Sequence, residues 1–246
     1  MRVFIVLVLL FVCVPVTAQD RVLTVDLARD SVDITTGFDG AHLSLFGEKN
    51  KNGDVAVVIK GPLKDVLVRR KSSFLGIWMN RESIRFKDVP RFYDYALSNS
   101  EDNILNDSMR EEHDIGLKAL RFKPEGDALD AEKLKTFSQA LVRNKQAEGL
   151  FPIEARDIIF LSDTFFKTEF YVPSNVPTGQ YVIETFLIDG GNVVDKHETN
   201  VKVAQVGFNS NVYMFAHSYS FAYALLIVFI AVLAGWLSNA VRQKNK

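Results

Sequence analysis

VPTGQYVIETFLIDGGNVVDKHETNVKVA, residues 176–204, decides the fold. Two runs rich in β-branched and aromatic residues, Gly179 to Ile188 and Val193 to Val203, flank Asp189-Gly190-Gly191-Asn192, whose members accept positive φ and so close a tight hairpin. A turn, a strand carrying Tyr181, a tight turn and a final strand is the order of the closing hairpin of an immunoglobulin-like sandwich. The Cys…Trp…Cys spacing of antibody domains is missing. Upstream, Asp163 to Val172 reads as a further strand, joined through PSNVPTG.

Three strands make a poor core, so partners are needed from elsewhere in the chain. Between Arg21 and Leu97 the segments VLTVDLA, SVDIT, AHLSLFG, DVAVVIK, KDVLVRR and FLGIWMN are short and β-branched or aromatic, with Gly, Asn, Asp and Pro between them. Asn52-Gly53 signals a hairpin loop, and Gly61-Pro62 a break. From Ser100 to Gly149 the period changes. Asp130 is placed to cap a helix that buries Leu134, Phe137 and Leu141 and stops before Gly149, while a weaker helical pattern covers Asp102 to Ala119. The expected fold is mainly β: one sandwich over residues 19–206 with an α-helical insertion at about 100–149, and two separate domains as the alternative.

Outward from the last strand the chain changes solvent. The run Phe221 to Leu237 has 17 residues without a charge, and its flanks bring residues 219–241 to the roughly 20 that a helix needs to cross about 30 Å of hydrocarbon. Arg242, Lys244 and Lys246 form a basic tail over 242–246, and Lys and Arg beside a span favour the cytoplasmic side. Tyr213, Phe215, Tyr219, Phe221 and Tyr223 crowd the other edge, and Trp236 sits near the inner one. Residues 207–218 carry no charge, which predicts a juxtamembrane segment lying in the interface or against a partner's span. Ala224, Ala231 and Gly235 form a small-residue stripe on which another helix could pack. At the other end, Met1 to Ala18 has Arg2, an apolar segment from Val3 to Val14 and then Pro15-Val16-Thr17-Ala18. This reads as a secretory signal peptide cut after Ala18, with an uncleaved anchor as the alternative. The expected topology is single-pass, with the sandwich exported and the C-terminus cytoplasmic.

Composition narrows the chemistry. With 29 basic and 30 acidic residues the chain has no field to draw in nucleic acid, so none is expected as a partner. Cys13 is the single cysteine and falls in the expected leader, leaving the exported part without disulfides, a thiol nucleophile or thiolate metal ligands. His42, His113, His197 and His217 are scattered, so no metal site is expected, and no nucleophile elbow, P-loop or dinucleotide fingerprint appears. Catalytic residues and a cofactor are therefore not assigned. The most suggestive cluster is Arg69, Arg70 and Lys71 followed by Trp78, Asn80 and Arg81: guanidinium forks and an amide beside an aromatic, suited to oxyanions or carboxylates. A solvated strand edge with an Arg70–Glu82 pair is the plain alternative.

The ordered set TGFDGAHLSLFG (36–47), VVIKGP (57–62), VRRK and GIWMNRESIRF (68–86), VPRFYDYALS (89–98), FLSDTFFKTEF (160–170), NVPTGQYVIETFLIDG (175–190) and VGFNSNVYMFAH (206–217) resembles a family of alphaproteobacterial "putative transmembrane proteins". The resemblance implies a signal peptide, an exported β-rich domain and one C-terminal span in the inner membrane, with the domain in the periplasm and no established activity. It also implies an association with sulfite-exporter-type permeases. The expected role is a membrane-anchored accessory or interaction module acting with the lipid bilayer and an integral membrane protein partner. The alternatives are an anion-binding accessory subunit of a transporter and an enzyme without recognisable motif.

Overall fold

The computed structural model describes residues 22–74, 77–126 and 130–244. The expected leader 1–18, its cleavage site and Lys246 lie outside the described residues. In chain order the elements are β1 (Leu23–Leu27), β2 (Ser31–Ile34), β3 (Gly40–Lys49), β4 (Asp54–Lys60), β5 (Leu63–Phe74), β6 (Ile77–Pro90) and β7 (Tyr93–Leu97). Then follow α1 (Glu101–Ile104), α2 (Asp107–His113), β8 (Lys123–Pro124), α3 (Ala131–Ala147), β9 (Arg156–Asp157) and β10 (Ile159–Phe160). The chain closes with β11 (Phe165–Pro173), β12 (Gly179–Asp189), β13 (Asn192–Gln205), α4 (Phe208–Ser218) and α5 (Ser220–Lys244).

Two sheets face each other, one ordered β1-β3-β11-β10 and the other β2-β13-β12-β4-β7-β9. Strand β11 alternates exposed and buried along FFKTEFYV, so that Phe166, Phe170 and Val172 join Ile183, Leu187 and Val57 of the second sheet in one core. The topology is immunoglobulin-like. The first strand pair divides between the sheets, β1 joining β3 while β2 pairs in parallel with the last strand, Val203 opposite Val32. Tyr181 near the start of β12 donates its hydroxyl to the Pro177 carbonyl at 2.6 Å, the tyrosine corner of such domains. The expected β12–β13 hairpin forms with Asp189 opposite Asn192, and Gly190 and Gly191 take φ of 57° and 79°. Phe166 lies over Gly47, where a Cβ would sit 2.2 Å from its ring, so that position tolerates no side chain.

Three local expectations are corrected. Asn52-Gly53 does not close a hairpin: β3 is already flanked by β1 and β11, so the loop after it crosses to the opposite sheet and β4 pairs with β12 and β7. The helical pattern at 102–119 breaks into two short helices because Asn106 caps a new one, accepting from the Met109 N–H, and Asp114 ends it at φ 53°. Strand β7, buried along its whole length as Tyr93-Asp94-Tyr95-Ala96-Leu97, was not anticipated. Helix α3 forms as expected, with Asp130 accepting from the Glu132 N–H and Phe137 and Leu141 buried.

KDVLVRR and FLGIWMN do not enter the sandwich. Gly61-Pro62 turns the chain out of it, and β5 and β6 pair with each other in a third sheet, β5-β6-β8. Val68, Ile84, Phe86 and Val89 on one face of this hairpin pack against Phe137 and Leu141 of α3, forming a second, smaller core. Hairpin and helix together make an arm. Its base is pinned by Gly61 N–H to Phe92 O at 2.8 Å and Arg91 N–H to Pro62 O at 3.0 Å. The arm springs from the pole of the sandwich where β13 ends: β4 stops there at Lys60 opposite Val182, β7 starts at Tyr93 opposite Lys60, and β12 starts at Gly179 opposite Val203. The end of α3 returns to the same pole, where the Leu150 carbonyl accepts from Tyr93 N–H and the Glu148 carbonyl from the Asn175 amide. Past Gly207, α4 and α5 follow almost without a break. Over Ser220–Leu237 the mean hydropathy of α5 is 2.3 and none of it is buried.

Candidate functional site

The arm carries the basic cluster that the sequence singles out. Arg69, Arg70 and Lys71 lie within β5, opposite Ser83, Glu82 and Asn80, and Trp78 is opposite Ser73. Arg81 falls at the irregularity in register between Arg70 and Lys71, an extra residue of the bulge type that re-aims side chains on either side. The side chains of Trp78, Asn80 and Arg81 lie outside the described residues. Arg70 does approach Glu82, at 3.8 Å, and Glu82 also receives Lys133 of α3 at 3.2 Å.

Between β5 and α3 runs a groove of about 350 Å³. Val68, Phe137 and Ala140 form its apolar floor, Thr136 and Gln139 offer hydrogen bonds, and Arg69, Arg70, Lys71 and Arg143 supply positive charge. Among the described residues that line it there is no Asp or Glu. On the other flank of α3 a hollow of about 420 Å³ shares Gln139 and Arg143 and adds Lys118 and Lys135, again without an acid. Arg143 escaped the sequence reading as a site residue. The helical period carries the signal, because Thr136, Gln139 and Arg143 fall three and four apart, beside the buried Phe137–Leu141 stripe.

A second polar cluster lies at the base of the arm, and it is paired. Lys60 Nζ reaches Asp114 at 2.9 Å and Glu184 at 3.1 Å, and Glu184 also receives Lys196. Burial works against the Lys60 charge, yet Asp114 and Glu184 outweigh it and hold its pKa above the ordinary lysine value. Burial likewise opposes the Glu184 charge, and the Lys196 and Lys60 contacts reverse the balance, lowering its pKa. In β7, burial raises the pKa of Asp94 despite Arg156 at 3.0 Å. The Tyr93 hydroxyl donates to the Asp114 carbonyl and accepts from Gly116 N–H, tying the end of α2 to the sandwich. These groups satisfy one another. They fasten the helices to the sandwich.

The histidines remain apart: His42 faces Glu169 at 3.1 Å, His113 packs on the Phe186 ring, His197 sits in β13 and His217 in α4. Among the described residues no group of three or more His, Cys, Asp or Glu is arranged to hold a metal ion. In α4, the Tyr213 ring lies tilted against His217 with centroids 4.0 Å apart, and Phe215 lies beside Tyr219 and Tyr223. Ala224, Ala231 and Gly235 are on the surface of α5, and a Cβ added to Gly235 would meet nothing.

Comparison with known proteins gives little detail. No curated protein matches by sequence. A chain from the structure entitled "Structural basis of T cell specificity and activation by the bacterial superantigen toxic shock syndrome toxin-1" aligns at 10% identity over 75% of this chain and 99% of that one, with a TM-score of 0.27. An alignment that loose carries no argument about this protein. The family profile described as "Putative transmembrane protein (Alph_Pro_TM)" matches residues 22–244, the sandwich, the arm and the apolar helix together, and the chain belongs to that family.

Proposed function

We propose that this membrane protein is a single-pass interaction module with its sandwich in the periplasm, its C-terminus in the cytoplasm, and its arm turned to a partner in the inner membrane. The observation that carries the reading is topological. The arm, with its acid-free basic groove, leaves the sandwich at the pole where β13 leads into α4 and α5, so the recognition element and the tether share one end of the domain. The basic tail and the aromatic belt support the orientation. Gly235 supports helix docking: glycine costs about 1 kcal/mol relative to alanine inside a helix, and among the described residues none lies close enough to require its small size. Catalysis has no place in this reading, since the polar clusters are engaged in holding the fold.

A reporter active only outside the cytoplasm works when fused after Val203, and a cytoplasm-only reporter works after Lys246; the reverse pattern would sink the placement. Mature protein beginning at Gln19 supports export with cleavage. For the partner, photo-crosslinkers at Leu67 on the arm and at Val194 near the opposite pole give opposite results in cells: a membrane protein is captured from Leu67 and not from Val194. Capture from Val194 alone refutes the arm as recognition element. The size and charge of the groove also suit a second role, as a small-anion-binding subunit serving a transporter.

A further inference from the structure

We propose that the groove between β5 and α3 seats the phosphate of anionic phospholipid headgroups, making the arm a second, reversible membrane contact beside the span. The inference rests on the arm facing the membrane side and needs no protein partner.

Four observations converge on it. Arg69, Lys71 and Arg143 line the groove, and no described acidic side chain forms an ion pair with them. Among the described residues the ion-pair partner of Arg70 is Glu82, at 3.8 Å, and Glu82 is shared with Lys133. A cluster of this kind holds its cations side by side against their own repulsion, which an anion placed among them relieves. Secondly, the floor of Val68, Phe137 and Ala140 is apolar, and elsewhere on the arm Leu63 is exposed at 60%, Leu67 at 40% and Met79 at 43%. Basic residues interleaved with exposed apolar ones are the composition of surfaces that rest in a headgroup layer. A peptide-binding groove would not need those apolar residues outside its walls.

Thirdly, the chain's own anchor supplies the lipid. From the pole, α4 has 11 residues, about 16 Å of helix, before the span begins. Strand β5 has 12 residues from the same pole, about 40 Å of extended chain. The arm is therefore long enough to meet the bilayer to which it is tethered, and the tether keeps headgroups at high effective concentration around it. Fourthly, the arm has its own core and is not built into the faces of the sandwich, so it can rest on a surface without disturbing the main core.

The test uses the full chain with Cys13→Ser and a fluorophore on Ser73→Cys, an exposed position toward the outer end of β5, reconstituted in vesicles carrying a headgroup quencher. The expected result is strong quenching in equal parts phosphatidylcholine and phosphatidylglycerol, and weak quenching in phosphatidylcholine alone. A basic residue at an anionic surface contributes about 5-fold to partitioning, so Arg69→Glu with Arg143→Glu shifts docking by well over 10-fold and abolishes the difference. Lys51→Glu with Lys167→Glu makes the same change in net charge elsewhere and leaves it intact. Equal quenching in both vesicle types, or none in either, overturns the proposal.

Hydrogen exchange separates the lipid headgroup from a free anion. Protection of 63–74 and 131–147 on adding phosphatidylglycerol supports the seat. The same protection from inorganic phosphate or sulfite in phosphatidylcholine vesicles overturns it in favour of a small-anion site. Crosslinking from Leu67 to a membrane protein tests the partner independently, so either conclusion can fail while the other stands.

Discussion

Phe137→Ala tests whether the arm is stabilised by its own core. Phe137 is 2% exposed and packs with Leu141 against Val68, Ile84, Phe86 and Val89, a cluster separate from the one inside the sandwich. Truncating a buried phenylalanine costs about 3–5 kcal/mol through lost transfer energy and the cavity left behind. If the arm opens on its own, that cost falls on it alone, and its amide exchange accelerates on the order of 100-fold to several thousand-fold. Native-state hydrogen exchange on the full chain reads this directly: peptides from β5, β6 and α3 lose protection while those from β3, β4 and β12 keep theirs. Phe186→Ala, at 0% exposure in the main core, is the counterpart and lowers protection in the sandwich. Phe122, partly buried against both clusters, is the point of contact between them. Equal acceleration of arm and sandwich by Phe137→Ala would refute a separate arm, because the two cores would then be one cooperative unit.

Tyr181→Phe strands the Pro177 carbonyl at the tyrosine corner and costs about 1–3 kcal/mol, lowering the thermal midpoint by roughly 2–12 °C; an unchanged midpoint would show the corner to be ornamental. Stability also falls at high pH. Burial raises the pKa values of Tyr93, Tyr95 and Tyr181, and that of Lys60 is raised by Asp114 and Glu184 against its burial. Each group's contribution is complete below its unfolded value, near 10 for tyrosine and 10.5 for lysine, and is lost as pH rises through the folded one. Urea midpoints should therefore drop above about pH 10, less steeply in Tyr93→Phe relative to its own neutral-pH value; a flat profile contradicts the burial of these groups. In the span, Ala231→Leu with Gly235→Leu should release the membrane partner while insertion improves, and co-purification unaffected by both reduces α5 to an anchor.

The closing hairpin was legible because every cue in it is local: alternation over 179–203, two glycines at the turn and a tyrosine near the strand start. Helix α3 was legible for the same reason, through its cap and the Phe137–Leu141 spacing. Strand partnership was not. DVAVVIK and KDVLVRR look alike as sequences, yet β4 is buried on both faces in the sandwich while β5 keeps one face open on the arm. Only the alternatives left by the other strands decide such a case, and those are set far away in the chain. Arg69, Arg70 and Lys71 were found from their type and adjacency, whereas Arg143, more than seventy residues later, joins them only because α3 folds back across β5. The paired Lys60, Asp114 and Glu184 were invisible for the same reason, since each sits alone in its own segment.

The last strand before the span is gripped from both sides. Strand β13 pairs with β12 from Asn192 to Val203 and with β2 over Lys202–Gln205, next to the point where the chain leaves the domain. Any tension transmitted from the bilayer pulls β13 along its own axis, so the hydrogen bonds to both neighbours are sheared together instead of being peeled one at a time. Breaking them requires many to fail at once. Movements of the apolar helix would thus be passed to the sandwich as displacement of an intact body, and the short parallel strand β2 acts as a mechanical clamp at the place where the pull enters.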